Sequence, residues 1–195
     1  MLRPGRTLRG ALALPVIFAF AAACGGGGGG TSASTKPADP AGDALARGIA
    51  AQNANKLDEA TKDYYEVLFN DPKNKFAFYN LGQIAKNQNR LQIAEGYYRS
   101  ALEIDPNYGP ALFGVGFVRQ AFNAVQEAID FYTKDIAIEP TNAAAHYNLG
   151  ILLRIQGKTA QGDAEIARAI QLDPKLPQPA TPAPTPKTAS PTPTR

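Results

Sequence analysis

Residues 143–176 read AAAHYNLGILLRIQGKTAQGDAEIARAIQLDPKL, and the places of Gly150, Gly157, Gly162, Ile166, Ile170 and Pro174 within them decide the fold. Pro174 is preceded at intervals of 34 residues by Pro140, Pro106 and Pro72, and Gly150 by Gly116, Gly82 and Gly48. A spacing of this length, repeated without drift, is the signature of a stacked helix pair.

Each landmark of that stretch heads a column with its own physical role. Gly157 aligns with Asn123, Asn89 and Asn55, residue types that tolerate a left-handed backbone, as a sharp turn between two helices requires. Each is expected to end a first helix. Gly162 aligns with Ala128, Ala94 and Ala60, a small-residue column expected to face the glycine column so that small meets small and the backbones pack. Ile166, Tyr132, Tyr98 and Tyr64, then Ile170, Ile136, Leu102 and Leu68 one turn later, are expected core positions of the second helix. An acid precedes every repeat-ending proline: Asp71, Asp105, Glu139 and Asp173. Proline disfavours helix in the residue before it and lacks the N–H that would continue the ladder, so the second helix stops there.

With Tyr147-Asn148-Leu149-Gly150 followed by Ala169, Ile170, Leu172, Asp173 and Pro174, the chain resembles the tetratricopeptide repeat family. The resemblance implies an all-α fold, a right-handed α-solenoid of four antiparallel helix pairs in repeats 41–74, 75–108, 109–142 and 143–176. Three residues depart from the family pattern. Arg47 replaces a usual leucine, Asp135 a usual small core residue and Gly162 a usual alanine, so the first and third units are expected to be looser.

The folded domain is expected over 39–176, opened by Asp39 as a capping side chain and Pro40 at the first helical position, where a missing N–H is harmless. Residues 1–23 read as an export signal: Arg3, Arg6 and Arg9 precede an apolar run from Ala11 to Ala23, too short to span a bilayer and suited to a signal core. The only cysteine, Cys24, follows directly. Ala21-Ala22-Ala23-Cys24 resembles the lipobox of bacterial lipoproteins, although leucine is commoner than Ala21, and implies a lipid on Cys24 and a lipid-anchored place in the bacterial envelope. The competing reading is ordinary signal cleavage, which leaves a free thiol on a secreted or periplasmic protein. Residues 24–38 then form a glycine-, serine- and threonine-rich tether with a reach on the order of 20 Å. Residues 177–195, rich in proline and threonine, have almost nothing to bury and are expected to be disordered or polyproline II.

The formal charge of +3 belongs to the signal, for without its three arginines the remaining chain has 17 basic and 17 acidic residues. Residues 41–174 hold 13 basic and 16 acidic groups, which argues against a nucleic-acid surface.

In the family register, positions 2, 5, 6, 9, 12 and 13 of each repeat point into a concave groove. The second repeat places Phe76, Tyr79, Asn80, Gln83, Lys86 and Asn87 there, the third Pro110, Phe113, Gly114, Phe117 and Gln120, and the fourth Tyr147, Asn148, Ile151 and Arg154. Asn80 and Asn148 stand where the family often binds the backbone of an extended peptide, a task suited to an amide with both donor and acceptor. Gly114 is expected to open room beside Phe113 and Phe117 for a partner side chain. Leu45 and Ile49 occupy positions where the carboxylate-clamp subgroup needs lysine and asparagine, which argues against a receptor for chaperone tails.

Enzyme motifs and metal-ligand clusters are missing from the sequence, and no cofactor is expected. The glycine run 25–30 lacks the strand and lysine of a phosphate loop. His146, the only histidine, is expected to be packed, and Asp58, Glu59, Asp163 and Glu165 to solvate exposed helix turns. The expected function is that of a noncatalytic adaptor holding peptide segments or partner proteins, the alternative a carrier of a lipid or small hydrophobic ligand. A monomer or weak homo-oligomer is expected, closed at its end by the polar residues Asp163, Glu165, Arg168 and Gln171.

Overall fold

The computed structural model describes residues 39–178. Among them are eight helices: α1 Pro40–Asn53, α2 Leu57–Asn70, α3 Lys75–Asn87, α4 Leu91–Ile104, α5 Gly109–Ala121, α6 Val125–Ile138, α7 Ala143–Ile155 and α8 Thr159–Leu172. Each packs on its neighbours in the chain, more extensively within a repeat than between repeats, and α3 also reaches α5. This chain of local contacts defines an α-solenoid. The signal segment, Cys24, the tether and the end of the tail lie outside the described residues.

The turn inside every repeat is built the same way. Asn55, Asn89 and Asn123 have φ of 58°, 57° and 58°, and Gly157 has 80°. That left-handed residue returns the next amide to the helix it has just left: Lys56 N–H donates to Ala51 O at 2.8 Å, and Arg90, Ala124 and Lys158 repeat the bond to Ala85, Arg119 and Leu153. Carbonyls that would be orphaned at the helix end are thereby satisfied. Between repeats, Asp39, Asn74 and Asn142 accept from the amides of Gly42, Ala77 and Ala145 and cap α1, α3 and α7. Tyr108 occupies the equivalent place before α5 without a side-chain cap, and Pro110 stands in the first turn of that helix.

The tyrosine column is the centre of the core. Tyr64, Tyr98 and Tyr132 are fully buried and Ile166 nearly so. The glycine column admits these rings. A β-carbon on Gly48, Gly82 or Gly116 would lie 2.7, 2.5 or 2.9 Å from the ring of Tyr64, Tyr98 or Tyr132. In the last repeat the glycine also closely approaches the small-residue column. A β-carbon on Gly150 would sit 2.7 Å from Gly162 O, and one on Gly162 2.5 Å from Gly150 O. With isoleucine in place of tyrosine, α7 and α8 make the most extensive contact of any helix pair.

Full burial in the last turn of the second helix falls one residue before the expected column. Val67, Ala101, Asp135 and Ala169 are fully buried, whereas Leu68, Leu102, Ile136 and Ile170 are half-buried along the seam. Arg47 reaches across to α2, with Nε 3.2 Å from Asp63 and Nη2 2.7 Å from Glu66, so a surface ion pair replaces the family's apolar contact.

Candidate functional site

The expected groove residues lie on the first helices of the repeats, and the direct approach of α3 to α5 brings those of the second and third repeats side by side. Its aromatic lining divides into two groups. Phe76 stands edge-on to Tyr108 at 5.8 Å, Tyr79 meets the same ring at 5.5 Å, and Phe113 lies 5.5 Å from Tyr132. Tyr79 and Phe113 are half-buried against these partners, while Phe76 and Phe117 remain 46% and 38% exposed. Tyr108, from the loop before α5, is the aromatic that the groove positions alone did not reveal.

Gly114 does not open a space for a partner. The Tyr98 ring fills it, for a β-carbon on Gly114 would be 2.8 Å from Tyr98 Cδ2. The ring is held between Gly82 of its own repeat and Gly114 of the next, where any larger side chain would displace it.

The amides of the groove serve the tyrosines as well as solvent. Tyr64 and Tyr132 donate to Gln52 and Gln120 at 2.7 and 2.9 Å. These two glutamines occupy position 12 of their repeats. Lys86 occupies it in the second repeat, and Tyr98 turns instead to Gln83 at 3.1 Å, whose own amide donates to the Tyr79 hydroxyl at 2.5 Å. Burial pushes Tyr64 up to about 12 and Tyr98 and Tyr132 further above the ordinary phenol range, so all three stay protonated and donate. Asn148 gives one amide proton to the Tyr132 hydroxyl at 3.3 Å. Asn80 is half-buried and makes no side-chain hydrogen bond among the described residues. Asn87 is exposed, and Tyr147 and Ile151 are half-buried on α7.

Lys86 is half-buried with its ammonium 5.6 Å from the centre of the Phe117 ring. It makes no ion pair among the described residues, and burial lowers its pKa. The ring face compensates part of the desolvation that a carboxylate would otherwise offset.

Other titratable groups are absorbed by the scaffold. His146 is 8% exposed, with Nδ1 2.6 Å from Glu165 and Nε2 3.2 Å from the Pro140 carbonyl, so both ring nitrogens are held. Glu165 is therefore tied down rather than simply solvating its helix; Asp163 is exposed, 3.5 Å from Arg154. No group of three residues placed to hold a metal occurs among the described residues.

Tetratricopeptide-repeat family models match residues 76–108 and 131–164. No curated protein matches the chain. Among solved structures, a crystal structure of MamA is 20% identical, over 69% of this chain and 79% of that one, with a TM-score of 0.62. MamA from residue 41 to its end, of Desulfovibrio magneticus RS-1, is 21% identical over 70% of this chain and 77% of that one, also at 0.62. A double mutant described as MamA RS-1 ArsTM is 16% identical over 69% and 75%, at 0.60. At these identities the likeness is one of fold.

Proposed function

With tetratricopeptide repeats at residues 76–108 and 131–164, we propose that the chain is a noncatalytic adaptor whose concave face holds an extended segment of a partner protein. The observation that carries this reading is the pairing of exposed aromatic faces, Phe76 and Phe117, with the uncommitted amide of Asn80 on one helical face. Exposed aromatics in a cleft anchor binding, and amides with a free donor and acceptor suit an extended backbone. Attachment through a lipid on Cys24 would hold the adaptor at the bacterial envelope, where the tether lets the repeats gather partners near the membrane.

Affinity purification from crosslinked native membranes tests it, comparing the full chain with an Asn80→Ala, Phe117→Ala variant. Neither side chain fills the core, so the variant keeps its fold. A partner recovered with the intact chain and lost with the variant supports the groove. Equal recovery moves the interaction to another face. Accumulation of an unprocessed precursor when lipoprotein maturation is blocked tests the anchor; normal maturation under that block removes it.

A further inference from the structure

The groove has a charge character that the domain as a whole lacks. Residues 41–174 are net acidic, yet the six groove positions of the four repeats contain Lys86 and Arg154 and no aspartate or glutamate. Both cations occupy position 12, where the first and third repeats use glutamine to accept a tyrosine hydroxyl. In the second repeat that internal duty has passed to Gln83. The Lys86 ammonium is thereby left on the Phe117 ring, half-buried and without a carboxylate partner among the described residues.

We propose that the occupant of the concave face is an acidic peptide segment of a partner protein, and that one of its carboxylates docks on Lys86 beside the Phe117 ring. The proposal rests on the adaptor reading and specifies its ligand. A carboxylate arriving there supplies a counter-charge to an ammonium that burial has partly stripped of water, where the attraction is screened less than between fully exposed charges. Arg154, whose Nε stands 3.5 Å from Asp163, offers a second, partly compensated cation two repeats further along. Residues 1–38 and 175–195 contain lysine and arginine and no aspartate or glutamate, so their side chains do not supply the complementary charge.

Selection of random linear peptides on the full chain, in parallel with Lys86→Gln and Lys86→Glu chains, tests this. Glutamine stands at the equivalent Gln52 and Gln120, so the first variant preserves the fold, and circular dichroism checks it. The expected result is enrichment of aspartate and glutamate on the native chain, lost with Lys86→Gln and turned toward lysine and arginine with Lys86→Glu. A selected acidic peptide should bind the Lys86→Gln chain roughly tenfold more weakly. Selected peptides without acidic enrichment, or with enrichment indifferent to Lys86, overturn this inference and leave the peptide groove standing. Failure to retain any peptide above the Asn80→Ala, Phe117→Ala background overturns the groove itself. A single-stranded oligonucleotide held as tightly as the acidic peptide would make the face a general polyanion surface and end the proposal.

Discussion

Gly82 and Tyr98 stand so close that a β-carbon on the glycine would lie 2.5 Å from Cε1 of the ring. One residue of this pair is explained by the other, and the same holds for Gly48 with Tyr64 and Gly116 with Tyr132. Gly82→Ala and Gly114→Ala should each destabilise the fold by about 1–3 kcal/mol in urea unfolding, because the Tyr98 ring is held between these two glycines and cannot move away from one without meeting the other. Gly96 is the control. It lies exposed in α4, and a β-carbon there would meet nothing within 4 Å, so Gly96→Ala should stabilise by about 0.5–1 kcal/mol.

The second and third repeats are joined by charge where the third and fourth are joined by hydrocarbon. Glu95 on α4 bonds Arg119 on α5 and also accepts from Arg99 at 2.7 Å. Thirty-four residues later the same positions are Ile129 and Leu153, both buried. Arginine contacts hold the Glu95 carboxyl below its usual pKa although burial alone would raise it. Arg119→Leu alone leaves that carboxylate with Arg99 only and should cost about 1–3 kcal/mol, whereas Glu95→Ile with Arg119→Leu should be near neutral. A double-mutant cycle by thermal or urea unfolding measures the difference.

Asp135 provides a pH dependence of opposite sign. It is fully buried in α6, accepts from Asn142 at 2.7 Å through one oxygen, and leaves the other without a partner. Burial, then the nearby Glu139, pushes its pKa from 3.8 up to about 7. The folded state thus binds this proton more tightly than the unfolded state. Its contribution is fully present below the unfolded value and is lost as pH rises through about 7. Asp135→Asn keeps an acceptor for Asn142 and cannot ionise. It should raise the melting temperature by roughly 3–8 °C near pH 8 and by progressively less toward pH 5, as followed by circular dichroism.

Much of this fold is written in residues that act locally. A left-handed turn admits few residue types, so Asn55, Asn89, Asn123 and Gly157 announced their φ values, and proline stopped each second helix for reasons contained in its own ring. What the glycines face was harder to read. A missing side chain signals close approach without saying which group approaches, and the nearest group is a tyrosine ring in three repeats and Ile166 together with Gly162 in the fourth. Gly114 misled for the same reason, since the ring that fills its space comes from the preceding repeat. In the groove, the residue types and their helical face followed from the register, but their commitments did not. Tyr108 enters from a loop, and Lys86 becomes distinctive only once Gln52 and Gln120 are seen to serve tyrosines while it serves none.

The central claim, that partners occupy the concave face, is tested most directly by photocrosslinking in living cells. A photoreactive phenylalanine analogue is placed at Phe117 in the groove or at Tyr65, half-exposed on the second helix of the first repeat. The expected result is a discrete partner adduct from Phe117 and none from Tyr65. Adducts from Tyr65 with none from Phe117 would contradict it and move binding to the convex side.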